Sequence, residues 1–144
     1  MGDKQALGRA QDRFLNIYST SASGYLGYAY FPHDAAGTLW DGVVVSYETV
    51  GGTDNGYDIY DQGRTLIHEV GHYLGLYHTF EGYSCDNAYA TGDLIVDTPA
   101  ERYAYYDCEQ SETCGAADPF IIISTIRPTP ASMNLLRNRP TEMV

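Results

Sequence analysis

Apolar and polar residues alternate along Phe14-Leu-Asn-Ile-Tyr-Ser19, the period-2 pattern of a half-buried strand. Leu26-Gly-Tyr-Ala-Tyr-Phe31 reads as a second strand and stops at Pro32, which cannot donate to a sheet ladder. Gly42-Val-Val-Val-Ser-Tyr47 is instead a continuous apolar run, as expected of a strand buried on both faces. The period then changes. From Gln62 to Leu74, the apolar positions Leu66, Ile67, Val70 and Leu74 recur at helical spacing and predict the best-defined helix of the chain. Gly75 can supply its left-handed stop. Lys4 to Arg13 is read as the end of another helix. Gly51-Gly52 and Asp54-Asn-Gly56 mark a loop, and residues 79–118, with little periodicity and many turn formers, predict an ordered loop region.

Composition narrows the picture. A chain of 144 residues, 44% hydrophobic and 19% charged, is about one folded domain. The formal charge of −11 argues against nucleic acid or an anionic membrane as partner, since both call for a basic face. No apolar run approaches the roughly 20 residues that span a bilayer. Met1 to Leu7 lacks the basic and apolar regions of a secretion signal, so such a signal would lie upstream in a longer precursor or be absent. Nothing in the sequence sets an oligomeric state. The composition breaks near the end: all 15 Gly and 14 Tyr precede residue 119, whereas four of the six Pro fall from Pro119 onward. Residues 1–119 therefore read as the folded domain, with an irregular part from 79, and 120–144 as an aberrant tail.

The chemistry sits on the predicted helix. His68-Glu-Val-Gly-His72 places two imidazoles one turn apart on one face, where they can hold one zinc ion. Glu69 is displaced to the side, within reach of a water on the metal. Zinc brings the pKa of such a water towards ~7, and a carboxylate can take its proton during attack on a carbonyl. A turn at Gly75 would return the chain and make His78 the third ligand. Three protein ligands and a water describe a catalytic zinc site. The full pattern HExxHxxGxxH uses three of the four His in the chain, which argues against coincidence. The fourth, His33, follows Pro32 in a loop and is read as solvent-facing.

His68 to Phe80, HEVGHYLGLYHTF, resembles the metzincin zinc peptidases, and among them the pappalysin (pregnancy-associated plasma protein-A-like) family. The resemblance extends through LGYAYFP at 26–32, DGVVVSY at 41–47, GRTLIHEVGH at 63–72 and GDLIVDTPAE at 92–101 to Ala117-Asp118-Pro119. It implies an α/β (α+β) catalytic domain, with a mixed sheet and active-site helix above a cleft and an irregular lower part. It implies a secreted zinc endopeptidase acting on protein or peptide substrates, with Glu69 as catalytic base and His68, His72 and His78 as zinc ligands. Leu26, Gly27, Tyr28, Ala29 and Tyr30 would form the edge strand to which an extended substrate adds. The alternative is an inactive fragment that binds zinc or peptide without turnover. Asp93, Asp97, Thr98 and Glu101 offer oxygens that would suit calcium, which some relatives bind in this region.

The three Cys, 85, 108 and 114, are an odd number, which leaves one unpaired. The resemblance pairs Cys85 with Cys114 and leaves Cys108 for a later Cys.

Two family features are missing: the first elements of the upper sheet before Lys4, and the segment expected after Pro119. With both absent, this form of the chain is expected to be weakly active or inactive. Reading the tail codons from each third base, allowed choices from Phe120 onward give H-N-Y-x-D-Y-T-P-D-A-C-x-D-E-F-T-P-E-Q, a string similar to the family's own continuation. Met133-Asn134 forces the Glu. The tail is thus expected to be a frameshifted translation, with the later Cys recovered in the shifted frame. Sequencing the transcript across the codons for Asp118 to Ile122 should reveal the shift, and an intact frame there would exclude it.

Overall fold

The computed structural model describes residues 7–52, 60, 62–85, 92–104 and 111–118. They fall into two compact units, one up to Gly75 and one from Leu76 onward.

The first unit is built on a three-stranded mixed sheet. Strand β1 (Ile17–Thr20) runs parallel to β3 (Val43–Ser46), and β2 (Gly27–Ala29) lies antiparallel on its other side, giving the order β1-β3-β2. The central position explains the unbroken apolar run of β3: Val43, Val44, Val45 and Ser46 are all buried, as a strand covered on both faces requires. The register sets Gly27 opposite Val45 and Ala29 opposite Val43. These four positions therefore share one face of the pleat.

β1 begins three residues later than the alternation suggested. The Asn16 side chain accepts a hydrogen bond from the Arg9 N–H (2.8 Å) and donates to the Arg9 carbonyl (3.0 Å), holding the preceding segment in a loop. The helix expected to reach Arg13 is helical at Leu7 but not at Gly8–Arg13, where a turn brings the N–H groups of Arg13 and Phe14 onto the Ala10 carbonyl. After β2, Pro32 opens the short helix α1 (Pro32–Ala35), a first-turn position where its missing N–H costs nothing.

Helix α2 (Arg64–Tyr73) packs on the sheet through Leu66, Val70 and Tyr73, which meet a core of Ala29, Val43 and Val45. This differs from the stripe predicted by periodicity. Ile67 and Leu74 are 57% and 69% exposed, and Tyr73 takes the place expected of Leu74. The reason is the sheet face: small residues at Gly27 and Ala29 seat the helix in the phase that also buries Thr65, Glu69 and His72. At its end, the Leu74 N–H reaches the carbonyls of Val70 and Gly71, and the Gly75 N–H reaches that of His72. Gly75 has φ +95°, a left-handed conformation that closes the helix and disfavours a side chain.

The second unit is irregular among the described residues. A Cys85–Cys114 disulfide links positions 29 apart. Nearby, Asp118 accepts hydrogen bonds from the Ser111 hydroxyl (2.6 Å) and from the N–H and hydroxyl of Thr113 (3.1 and 2.9 Å). Cys108 and the tail 120–144 lie outside the described residues.

Val45 stands at the centre of the α2–β3 contact, so Val45→Ala should destabilise the first unit by about 2–3 kcal/mol from lost transfer free energy and the residual cavity. A urea melt followed by far-UV circular dichroism would measure the loss.

Candidate active site

One helix serves two purposes because its two faces are adjacent. Taking the direction of Leu66, Val70 and Tyr73 as the core face, Glu69 stands roughly 60° round the helix, His72 roughly 120° and His68 roughly 160°. Glu69 is thus nearest the sheet, and the histidines flank it on the side away from the core.

His68, Glu69 and His72 are all buried, His72 almost completely. The Nε2 atoms of His68 and His72 are 2.9 Å apart, with the rings nearly perpendicular. The ring of His72 meets Phe31 edge-on, centroids 5.6 Å apart, so the residue that leads into α1 fixes one ligand candidate. Two nitrogens bound to one tetrahedral zinc at ~2.0–2.1 Å would lie about 3.3 Å apart. A pair of inward-facing imidazole nitrogens near that separation is a donor set that fits zinc.

Glu69 is placed by a glycine. A Cβ added at Gly27 would lie 2.8 Å from Glu69 Cγ, 3.0 Å from Thr65 Cγ2 and 3.0 Å from the Val44 carbonyl oxygen. The stem of Glu69 therefore rests on the bare backbone of β2. Sequence reasoning placed Gly27 in the edge strand but missed this role, because only the phase of α2 against β2 creates it.

The last turn of α2 is tied down as well. The Tyr73 hydroxyl is raised above the ordinary tyrosine pKa by burial, by the charge of Asp41 and by its hydrogen bond to that carboxylate. It stays protonated and donates. Asp41 is itself buried and also accepts from the Gly37 N–H at 2.6 Å.

The predicted edge residues lie where a sheet edge is found among the described residues. The Leu26 carbonyl accepts from the Ser46 N–H (2.8 Å) and the Thr49 hydroxyl (3.1 Å). Gly27, Tyr28 and Ala29 form β2. Gly27 and Ala29 face the helix, while Tyr28 belongs to a chain of ring contacts, Tyr25–Tyr28–Tyr30–Trp40, with neighbouring centroids 5.6–6.5 Å apart. His33 lies at the surface, 3.3 Å from the Asp34 carboxylate.

In the second unit, His78 is largely buried. Its ring stacks on Phe80 (4.7 Å) and its Nδ1 lies 3.8 Å from Glu81. The Glu81 N–H closes a turn on the His78 carbonyl (3.1 Å), and the Gly92 N–H caps the Glu81 carbonyl (2.7 Å). The acidic segment does not form an obvious ligand set. Asp93 accepts from the Ile95 N–H at 2.9 Å, Asp97 is exposed, Thr98 is half-buried, and Glu101 is buried on the Thr79 hydroxyl. Among the described residues, the carboxylates of Asp93, Asp97 and Glu101 do not converge on one point. Burial raises the Glu101 carboxyl above the ordinary range, the Thr79 hydrogen bond opposes this, Asp118 adds to the rise and His78 opposes it.

The sequence profile of the M43 peptidases, described as pregnancy-associated plasma protein-A, matches residues 10–122. The chain belongs to this family. Its relatives in the pregnancy-associated plasma protein-A family include an extracellular metalloprotease of Colletotrichum graminicola, 44% identical over 117 residues, covering 77% of this chain and 40% of the relative. An extracellular metalloprotease of Pyricularia oryzae is 41% identical over 110 residues, covering 73% of this chain and 36% of the relative. Among solved structures, mature mirolysin of Tannerella forsythia in complex with a cleaved peptide matches with a TM-score of 0.60 and 35% identity, over 74% of this chain and 40% of that one. The mixed sheet with its helix α2 is thus a metzincin-like α+β arrangement. The chain spans about two fifths of the length of the curated relatives it matches. Membership of this peptidase family implies a metal, typically zinc. Among the described residues, no helix is long and apolar enough to cross a membrane.

Gly27→Ala should force Glu69 or β2 to shift and lower stability by about 1–3 kcal/mol, the usual cost of overpacking a close contact. Gly27 has no left-handed φ, so the loss would report the steric clash. Chemical denaturation of the two proteins would measure it, and unchanged stability would show that Glu69 is free to move away.

Proposed function

We propose that this chain carries the zinc-binding and catalytic core of a secreted metalloendopeptidase that hydrolyses peptide bonds. The observation that carries the reading is the buried His68–His72 pair of facing Nε2 atoms on α2 with Glu69 buried beside it, in a chain of the M43 family. His68 and His72 would hold the zinc from the helix. His78, six residues on and past the left-handed Gly75, would complete the set. The ion would supply the Lewis acidity that acidifies a water and polarises the scissile carbonyl.

The remaining steps belong to the protein. Glu69 takes the proton from the attacking water and later passes it to the leaving amine. Its contact with Gly27 limits where the carboxylate can swing, and a base held in one place needs no reorganisation at the moment of proton transfer. Leu26 to Tyr30 would receive an extended peptide by strand addition. The peptide-complexed neighbour supports this substrate class, and the names of the fungal relatives support secretion and turnover over the alternative of an inactive binding fragment. A calcium ion in the segment 92–101 would draw on Asp93, Asp97, Thr98 and Glu101, and the carboxylates among them would first have to converge; the peptidase reading does not depend on it.

Metal analysis and casein hydrolysis test the reading together. His68→Ala and His72→Ala should lose most of the bound zinc. Glu69→Gln should keep its zinc, and in an active form extended before Lys4 and with the frame restored after Asp118 its turnover should fall at least ~100-fold. Parent-like zinc content in both histidine variants, or parent-like turnover in Glu69→Gln, would overturn it.

A further inference from the structure

Glu101 reads in the sequence as one of four candidate calcium ligands in an acidic loop, yet it is 1% exposed. A buried carboxyl group is costly unless something compensates for the lost water. Asp118, the other buried acid of this unit among the described residues, has three local donors from Ser111 and Thr113. The donor to Glu101 among the described residues is the hydroxyl of Thr79, the residue that follows His78. The same short stretch is clamped from a second side. Gly92 approaches so closely that an added Cβ would lie 2.8 Å from the Thr79 carbonyl oxygen, and its N–H holds the Glu81 carbonyl. The turn that begins at His78 is therefore fastened by the 92–101 segment at its backbone and at one side chain.

We propose that Thr79 and Glu101 are positioning residues for His78, and that they set the affinity of the metal site. This rests on the reading of His78 as a zinc ligand given above. The Thr79–Glu101 hydrogen bond holds the ligand's chain segment to the interior of its unit. The buried Glu101 carboxyl also interacts electrostatically with His78, the side chain that would carry part of a cation's charge. Groups that orient a ligand from behind typically contribute 10–100-fold to metal affinity. The two contributions separate by substitution. Thr79→Val removes the hydroxyl and keeps the shape. Glu101→Gln keeps the size and an acceptor for Thr79 but removes the charge. Thr79→Ser keeps the hydroxyl.

The test is the zinc dissociation constant of the full chain, measured by competition with a chromophoric chelator, with His68→Ala as reference and the melting temperature of each metal-free protein recorded beside it. The expected result is a 10–100-fold weaker constant for Thr79→Val and for Glu101→Gln, and a value within about threefold of the parent for Thr79→Ser. If His68→Ala loses zinc while Thr79→Val and Glu101→Gln bind as the parent does, the inference is wrong and the zinc reading stands. Lower melting temperatures with an unchanged zinc constant would mean that the pair is only structural, which also overturns it. If His68→Ala itself binds like the parent, the zinc reading falls and takes this inference with it. Should Thr79→Val fail to fold, Glu101→Gln decides the matter alone, since it retains the hydrogen bond.

Discussion

The helical part of the candidate site, His68, Glu69 and His72, depends on the seating of α2 on β3 and β2. The contact is small: Leu66, Val70 and Tyr73 on one side and Ala29, Val43 and Val45 on the other. Its geometry fixes the rotation of the helix about its own axis, and that rotation decides which side chains are hidden. With the core stripe in this phase, Glu69 falls against β2, and His68 and His72 turn their nitrogens towards each other. A rotation by one residue would put Ile67 in the core and carry the histidines out of register. Gly27 and Ala29 hold the phase, because a larger residue at either place would lift the helix from the strand.

The parts of this arrangement that rest on local chemistry were legible in the sequence. The burial of β3 follows from its run of valines, and the stop of α2 from Gly75. The histidine spacing gave one helix face without any knowledge of the sheet. The parts that rest on tertiary contact were not legible. Hydrophobic periodicity proposed Ile67 and Leu74 for the core, since apolar identity cannot say which side of a helix meets a sheet. Tyr73 fills that place, its hydroxyl reaching the buried Asp41. The late start of β1 follows from Asn16 bonding back to Arg9, a contact seven residues apart that leaves no trace in a period-2 pattern.

The second unit shows the same limit more sharply. Acids in a Tyr-rich loop suggest a solvated surface or a cation site. The structure instead uses two of them, Glu101 and Asp118, as interior hydrogen-bond acceptors for hydroxyl and amide groups. A region with few apolar anchors can be organised by such polar contacts and by the Cys85–Cys114 bridge. Composition cannot reveal this, because a buried carboxylate and an exposed one are the same letter. The Cys85–Cys114 pairing likewise came from family resemblance, since three cysteines alone allow three choices of pair.

The alternation of β2 has an optical consequence. Its small residues face the helix and Tyr28 lies on the other side, in a line of rings that ends at Trp40, 5.6 Å from Tyr30. Trp40 is the sole tryptophan among 14 tyrosines. Light absorbed by the tyrosines of this line can pass to one indole, that of Trp40 in the turn before β3, which touches the residue following the edge strand. A displacement of that strand would alter both the transfer and the colour of the emitted light. The protein thus carries, without any added dye, a fluorophore joined through Tyr30 and Tyr28 to the strand on which Glu69 rests.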